Sequence, residues 1–189
     1  MRVGIISDTH VPHKYETLSL RMKECLQGVD MILHCGDIVT PDVLEELKAI
    51  APVEAVAGNH DIERFQNDLP RKKVVELVGY KIGMIHGDFF EDNHLHRSEL
   101  MNILRRSVVE PFLDGEPLDV ILFGHCHQPI METFRAEFYP PRHGAVKKSI
   151  LLFNPGIPIR NRHFSSIGFL TLTPEAVNIE LKVFMNSRG

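Results

Sequence analysis

The nine residues RVGIISDTH, Arg2–His10, decide how the chain is read. Arg2–Ser7 is a short apolar run of the kind that forms a buried strand, and it opens into a carboxylate, a hydroxyl and an imidazole: Asp8, Thr9, His10. Four later apolar runs end the same way. Gly36-Asp37 follows Met31–Cys35, and Gly58-Asn59-His60-Asp61 follows Val53–Ala57. His86-Gly87-Asp88 follows Lys81–Ile85, and Gly124-His125-Cys126-His127 follows Asp119–Phe123. Open α/β sheets bind their ligands just beyond the carboxyl ends of the strands. Taken singly, Asp, Asn and Gly after a strand are ordinary turn chemistry. Five such endings place a compact set of metal ligands at one edge of a sheet.

The segments between these runs supply the rest of the fold. Leu18, Met22, Cys25 and Leu26 recur with helical period over Tyr15–Gln27, and Gly28 suits a left-handed cap. Thr40 offers an N-cap with Pro41 at the first helical position. Val43, Leu44, Leu47, Ile50 and Ala51 give that second helix its buried face, and Pro52 stops it. Strand Val53–Ala57 then completes a βαβαβ unit, whose crossovers are expected to be right-handed. Val74–Val78 and Lys81–Ile85 flank Gly79-Tyr80, a two-residue hairpin signal. Helical period returns over His96–Val109 with Leu100, Ile103, Leu104 and Val108 on one face. Strands follow at Asp119–Phe123 and Ile150–Phe153, then a hairpin of Gly168–Leu172 with Val177–Phe184 turning at Thr173–Ala176. Gln128–Lys148, with Pro140-Pro141 and mixed charge, reads as a flexible excursion. The expectation is an α/β fold of two packed sheets flanked by helices, forming one domain over residues 1–189.

Composition narrows the function. The 189 residues are 43% hydrophobic and 24% charged, which suits a globular protein and argues against disorder. A formal net charge of -4 gives no global attraction for nucleic acid. The runs Arg71-Lys72-Lys73, Arg105-Arg106 and Lys147-Lys148 are short enough to be solvated surface. Cys25, Cys35 and Cys126 form no disulfide framework. Cys126 is a weaker metal candidate than its neighbours, because in an extended segment it points away from His125 and His127. No run approaches the ~18 apolar residues of a membrane span, and no leader pattern opens the chain. A reduced, cytoplasmic protein is expected, without a membrane partner and with room for a homo-oligomer.

The clusters carry metal-ligand chemistry. Asp8 and His10, two apart, project to one side of an extended chain, and His125 and His127 repeat the arrangement. Asp37 follows Gly36, whose missing side chain permits close approach of a metal or substrate. A carboxylate can bridge two cations with its two oxygens, whereas imidazoles and the Asn59 carbonyl do so less readily. Mixed oxygen and imidazole donors suit Mn²⁺, Fe²⁺, Ni²⁺ or Zn²⁺ rather than a thiolate-selective ion. His34 lies within a strand and reads as a satisfied core residue. His13, His143 and His163 have no paired spacing with a second ligand strand, and the His94/His96 pair, near a helix start, reads as surface or substrate-proximal loop.

The ordered set Asp-x-His, Gly-Asp, Gly-Asn-His-Asp, His, Gly-His-x-His resembles the calcineurin-like metallophosphoesterase superfamily, over residues 2 to about 160. The short length and the late Asn154-Pro155-Gly156 are most similar to its compact, YfcE-type phosphodiesterase branch. The resemblance implies a four-layer α/β/β/α sandwich and two divalent metal ions, manganese first. It implies that Asp8, His10, Asp37 and His127 hold one ion, and that Asp37, Asn59, His86 and His125 hold the other, with Asp37 bridging. Asn59 and His60 would contact substrate, and His60 would sit beside the leaving-group oxygen without binding metal. The implied reaction is hydrolysis of a small phosphoester by in-line attack of a metal-bridging hydroxide. Two alternatives share the fold: a protein-interaction scaffold like the retromer subunit Vps29, and a small nuclease. A scaffold has no need of His60 and seven filled ligand positions, and a nuclease is expected to have a basic groove.

Overall fold

A computed structural model gives the structure of the chain and describes residues 1–12, 18–61, 65, 68–88, 96–158 and 164–185. Strands β1 (Arg2–Ile6), β2 (Met31–His34) and β3 (Val53–Ala55) run parallel, with β2 between the other two. Helix α1 (Leu20–Cys25) lies in the first connection and α2 (Pro41–Lys48) in the second. The closing hairpin, β9 (Phe164–Leu172) and β10 (Val177–Met185), adds antiparallel to β1 and completes a sheet of order β10-β9-β1-β2-β3.

A second sheet has the order β4-β5-β6-β8-β7. Its centre is parallel: β5 (Tyr80–Ile85), β6 (Val120–Leu122) and β8 (Val146–Pro155). Its edges, β4 (Lys72–Leu77) and β7 (Pro129–Phe138), are antiparallel to their neighbours. Helix α3 (Arg97–Leu104) covers the outer face of this sheet.

Side-chain alternation produces the layering. On β1, Val3 and Ile5 point between the sheets and pack with Leu33, Val75, Ile82, Met84, Val120 and Phe153. Ile6 points the other way, onto Met22, Leu26, Val43 and Leu47 of the helical layer. Leu104, Val108 and Phe112 cover Ile121, Phe123, Phe138 and Leu152 on the far side. The result is the expected four-layer α/β/β/α sandwich. No helix among the described residues is long and apolar enough to cross a membrane.

Several local expectations are corrected. The clusters lie at the edges of two facing sheets, not at one edge of one sheet: β1, β2 and β3 bring three, β5 and β6 two. Gln128–Lys148 is mostly a long hairpin, with β7 and β8 paired from Pro129↔Pro155 to Phe138↔Val146. The period-2 signal was Ile130, Phe134, Ala136 and Phe138, all facing the α3 side, masked by the charges interleaved with them. The first hairpin turns at Val78-Gly79 rather than Gly79-Tyr80, since Leu77 pairs with Tyr80. Both turn residues have positive φ, 53° and 83°, as a two-residue primed turn requires, and the first is a β-branched residue that propensity disfavours there.

The helices also differ. α1 begins at Leu20, so Leu18 is buried just ahead of it, and residues 15–17 lie outside the described residues. Thr40 occupies the N-cap of α2, but its hydroxyl donates to the Val11 carbonyl (3.4 Å) instead of capping. The predicted continuous helix to Val109 ends at Leu104 and passes through a π-helical turn, Arg105–Val109, so that Val108 and Val109 both face the core. Among the remaining histidines, His13, His94 and His163 lie outside the described residues. His96 stands at the N-cap of α3, its backbone N–H donating to Glu99 Oε2 at 2.8 Å.

Candidate metal centre

The chain does not stay extended after its strands. Asp8, His10, Asp37, His125 and His127 all have positive φ, between 48° and 74°. Left-handed backbone is uncommon outside glycine, and its concentration at five candidate ligands marks a functional site. The extended reading of Asp8-x-His10 and His125-x-His127 is therefore replaced by tight loops that turn both side chains of each pair inward. Backbone bonds hold these loops together. Asp8 N–H donates to Gly36 O (2.9 Å), His10 N–H to Asp37 O (3.0 Å) and Gly124 N–H to His86 O (3.1 Å). Two glycines are required by contact, and Gly36 by conformation as well. A Cβ on Gly36 (φ 96°) would stand 2.7 Å from His86 Nδ1, and one on Gly58 would stand 2.1 Å from Asp37 Oδ1.

Seven sequence-predicted ligands converge. On one side His10 Nε2 lies 3.1 Å from His127 Nε2, 3.9 Å from Asp8 Oδ1 and 3.6 Å from Asp37 Oδ2. His127 Nε2 is 3.4 Å from Asp8 Oδ1. On the other side His86 Nε2 lies 3.4 Å from Asp37 Oδ2 and 3.3 Å from His125 Nδ1, which is 3.2 Å from Asn59 Oδ1. Donor atoms sharing one ion at ~2.0–2.2 Å are about 3.0–3.5 Å apart across tetrahedral and octahedral edges. The donors thus already stand near ligand spacing. Asp37 Oδ2 belongs to both sides. His60 stands at the edge of the cluster: a ring nitrogen lies within 4.8 Å of donor atoms of His10 and Asp37, with Nε2 3.9 Å from Asp37 Oδ2, but the ring is half-exposed, and the backbone N–H donates to Asp37 Oδ1 at 3.0 Å. Cys126 belongs to no ligand group among the described residues.

Protonation is set by the same packing. Burial raises the Asp8 carboxyl, but the hydrogen bond from His127 and the charge of His86 outweigh it and hold Asp8 below its ordinary range. Asp37 follows the same balance: burial raises it, while the His86 hydrogen bond and charge, the His60 N–H and His10 take it well below the carboxylate range. Burial lowers His86, yet Asp37 and Asp8 push it up to about 9. A cation entering here displaces that proton. His86 Nδ1–H donates to the Cys35 carbonyl at 2.8 Å, which orients Nε2 towards the centre. His34 behaves differently: burial drives it down to about 4, so it is neutral. Gly36 N–H donates to its Nδ1 (3.2 Å), leaving Nε2–H for Thr9 Oγ1 (3.2 Å), so His34 fastens the first two loops together.

Residues 1–176 match the sequence model of the calcineurin-like phosphoesterase superfamily domain. The chain belongs to that family. Over 158 residues this phosphoesterase is 35% identical to a probable metallophosphoesterase of Methanocaldococcus jannaschii, covering 84% of the chain and 68% of the relative. A phosphodiesterase of the same organism is 27% identical over 170 residues, 82% of this chain and 83% of that one. Among solved structures, Vps29 of Chaetomium thermophilum superposes with a TM-score of 0.64 at 16% identity, covering 97% and 95% of the two chains, a likeness of fold. The family is metal-dependent, and the buried imidazole–carboxylate set of this phosphoesterase fits a metal.

Four residues that sequence reasoning left without a role build the frame of the calcineurin-like site. Asp61, fully buried, accepts the N–H groups of Ile38 (3.2 Å), Val39 (2.7 Å) and Gly58 (2.8 Å), locking the Asp37 loop to the Asn59 loop. Thr9 joins His34 as described. Arg71 and Asp88 form an ion pair at the rim. The acid closing Gly-Asn-His-Asp was the one legible signal among these. Asn154 supports the His125–His127 loop from behind: its Nδ2 donates to Gly124 O at 2.7 Å and its Oδ1 accepts Gly156 N–H at 2.8 Å. Asp61→Ala strands three buried N–H groups and is expected to cost the metal-free fold about 3–5 kcal/mol. Denaturant unfolding measures it, and a loss below about 1 kcal/mol would contradict this role.

Proposed function

We propose that this protein is a binuclear metal-dependent phosphodiesterase acting on small phosphoesters in the cytoplasm, with Mn²⁺ as the working ion. The observation that carries the reading is the place of Asp37 Oδ2, 3.6 Å from His10 Nε2 and 3.4 Å from His86 Nε2, where one carboxylate would serve two half-sites. Asp8, His10, Asp37 and His127 would hold one ion, and Asp37, Asn59, His86 and His125 the other. Two divalent ions held by these residues would supply an activated water near neutral pH and positive charge opposite the phosphoryl oxygens. The chain's residues do the rest. His34, Asp61 and Asn154 fix the ligand loops before substrate arrives, so little reorganisation is left for the reaction. His60, tethered through its backbone to Asp37 and half-exposed at its ring, gives a proton to the departing oxygen. With no covalent nucleophile assigned, the oxygen of water bonds to phosphorus as the ester P–O bond breaks; the ester oxygen leaves with the His60 proton, and the proton given up by water passes to solvent, from which His60 is recharged.

Hydrolysis of bis-p-nitrophenyl phosphate is expected to vanish on chelation and to return with added Mn²⁺. Turnover that persists in the metal-stripped protein would refute the proposal. A metal-loaded protein inert towards a panel of mono- and diesters would favour the Vps29-like scaffold instead.

A further inference from the structure

Beside the seven ligand positions stand two further possible donors, the half-exposed His60 next to His10 and Asp37, and Asp88 next to His86 and His125. A carboxylate oxygen of Asp88 and ring nitrogens of His86 and His125 all lie within 4.8 Å of one another. The chain turns at Gly87 (φ 84°), so positions 86 and 88 share one loop at the end of β5. Asp88 Oδ2 is ion-paired to Arg71, and Arg71 Nη1–H donates to the Gly58 carbonyl at 2.9 Å. One guanidinium thus spans the loop that carries Asn59, from the first sheet, and the loop that carries His86, from the second. A cavity of about 390 Å³ opens at this point, lined by Arg71, Lys72, His86, Gly87, Asp88 and Ser107.

As a stabilising contact this pair has little to offer, because half-exposed ion pairs contribute about 0–1 kcal/mol. As the outer support of a metal ligand it has a clear purpose. A carboxylate can give one oxygen to an ion while the other accepts from an arginine that fixes its orientation. We propose that Asp88 is a further ligand of the half-site formed by Asp37, Asn59, His86 and His125, and that Arg71 is the positioning residue that holds it there. The inference rests on the reading of the cluster as a metal centre. It makes the two halves unequal. Asp8, His10, Asp37 and His127 offer four donors, whereas the Asp88 half offers five, three oxygens and two nitrogens. An ion held there would meet an oxygen-rich donor set. Such a set suits Mn²⁺ over Zn²⁺, which favours four-coordinate sites richer in nitrogen or sulfur.

The test is calorimetric titration of the metal-stripped full chain with Mn²⁺, comparing wild type, Asp88→Asn, Asp88→Glu and Arg71→Ala. Asp88→Asn keeps a hydrogen-bond acceptor for Arg71 but loses the anionic ligand. It is expected to weaken one of the two sites by at least ~10-fold and leave the other unchanged, the retained site reporting a folded protein. Asp88→Glu should recover part of the affinity. Arg71→Ala, which frees the carboxylate without removing it, should weaken that same site only a few-fold. With Co²⁺ as probe, the visible absorption of Asp88→Asn should intensify as the coordination number falls. Unchanged affinity in Asp88→Asn, or equal losses in Asp88→Asn and Arg71→Ala, overturns the ligand assignment while the metal centre stands. Wild-type protein that takes up no Mn²⁺ overturns the metal centre and this assignment together.

Discussion

Asp37→Ala is expected to lower the rate of diester hydrolysis by ~10³-fold or more and to reduce the metal content of both half-sites at once. No other single ligand has this reach. Asp37 Oδ2 faces His10 on one side and His86 on the other, while Oδ1 accepts the His60 N–H. Removing the carboxylate therefore takes a ligand from each ion and loosens the loop of the proposed acid. It also leaves the raised His86 without its main anionic partner. Loss of a ligand such as His127, which belongs to one half only, should be partly repaired by more Mn²⁺. Loss of Asp37 should not. Near wild-type activity and metal content in Asp37→Ala would mean that the carboxylate does not bridge.

The second large effect separates His60 from Asn59, neighbours assigned different work. Asn59→Ala should weaken one ion, so that part of its lost rate returns as the metal concentration rises. His60→Ala should keep both ions. Its cost should grow as the leaving group worsens: small for p-nitrophenolate, which departs without a proton, and ~10²–10⁴-fold for an alkoxide or ribose hydroxyl. Values of kcat/KM across a leaving-group series give a Brønsted slope for each protein. A steeper slope in His60→Ala identifies the proton donor. Parallel lines, or metal loss on removing His60, would instead make it a ligand or a positioning residue.

Much of this site is legible in the sequence because its ligands are local. Each follows an apolar strand by one to a few residues, so strand recognition also locates Asp8, Asp37, Asn59, His86 and His125. What is not legible depends on conformation or on distance along the chain. Positive φ at Asp8, His10, His125 and His127 cannot be read from residue types that ordinarily avoid it, and it reverses the extended-chain argument. The pairing of Asp61 with Ile38 and Val39, and of Arg71 with Asp88, spans 17 to 23 positions and follows only once β3 lies beside β2 and β4 beside β5. The β7–β8 hairpin was hidden for another reason. Its outer face is charged, and Pro140-Pro141 marks the turn between the strands rather than a long loop. At Val78-Gly79 the register of six cross-strand pairs, Lys72↔Ile85 to Leu77↔Tyr80, overrides the preference of valine for extended backbone.

The most direct test of the account is a count of ions. Metal-stripped protein reconstituted with Mn²⁺, dialysed and assayed by elemental analysis is predicted to hold two equivalents per chain. A firm stoichiometry of one, or of none, would contradict the binuclear centre.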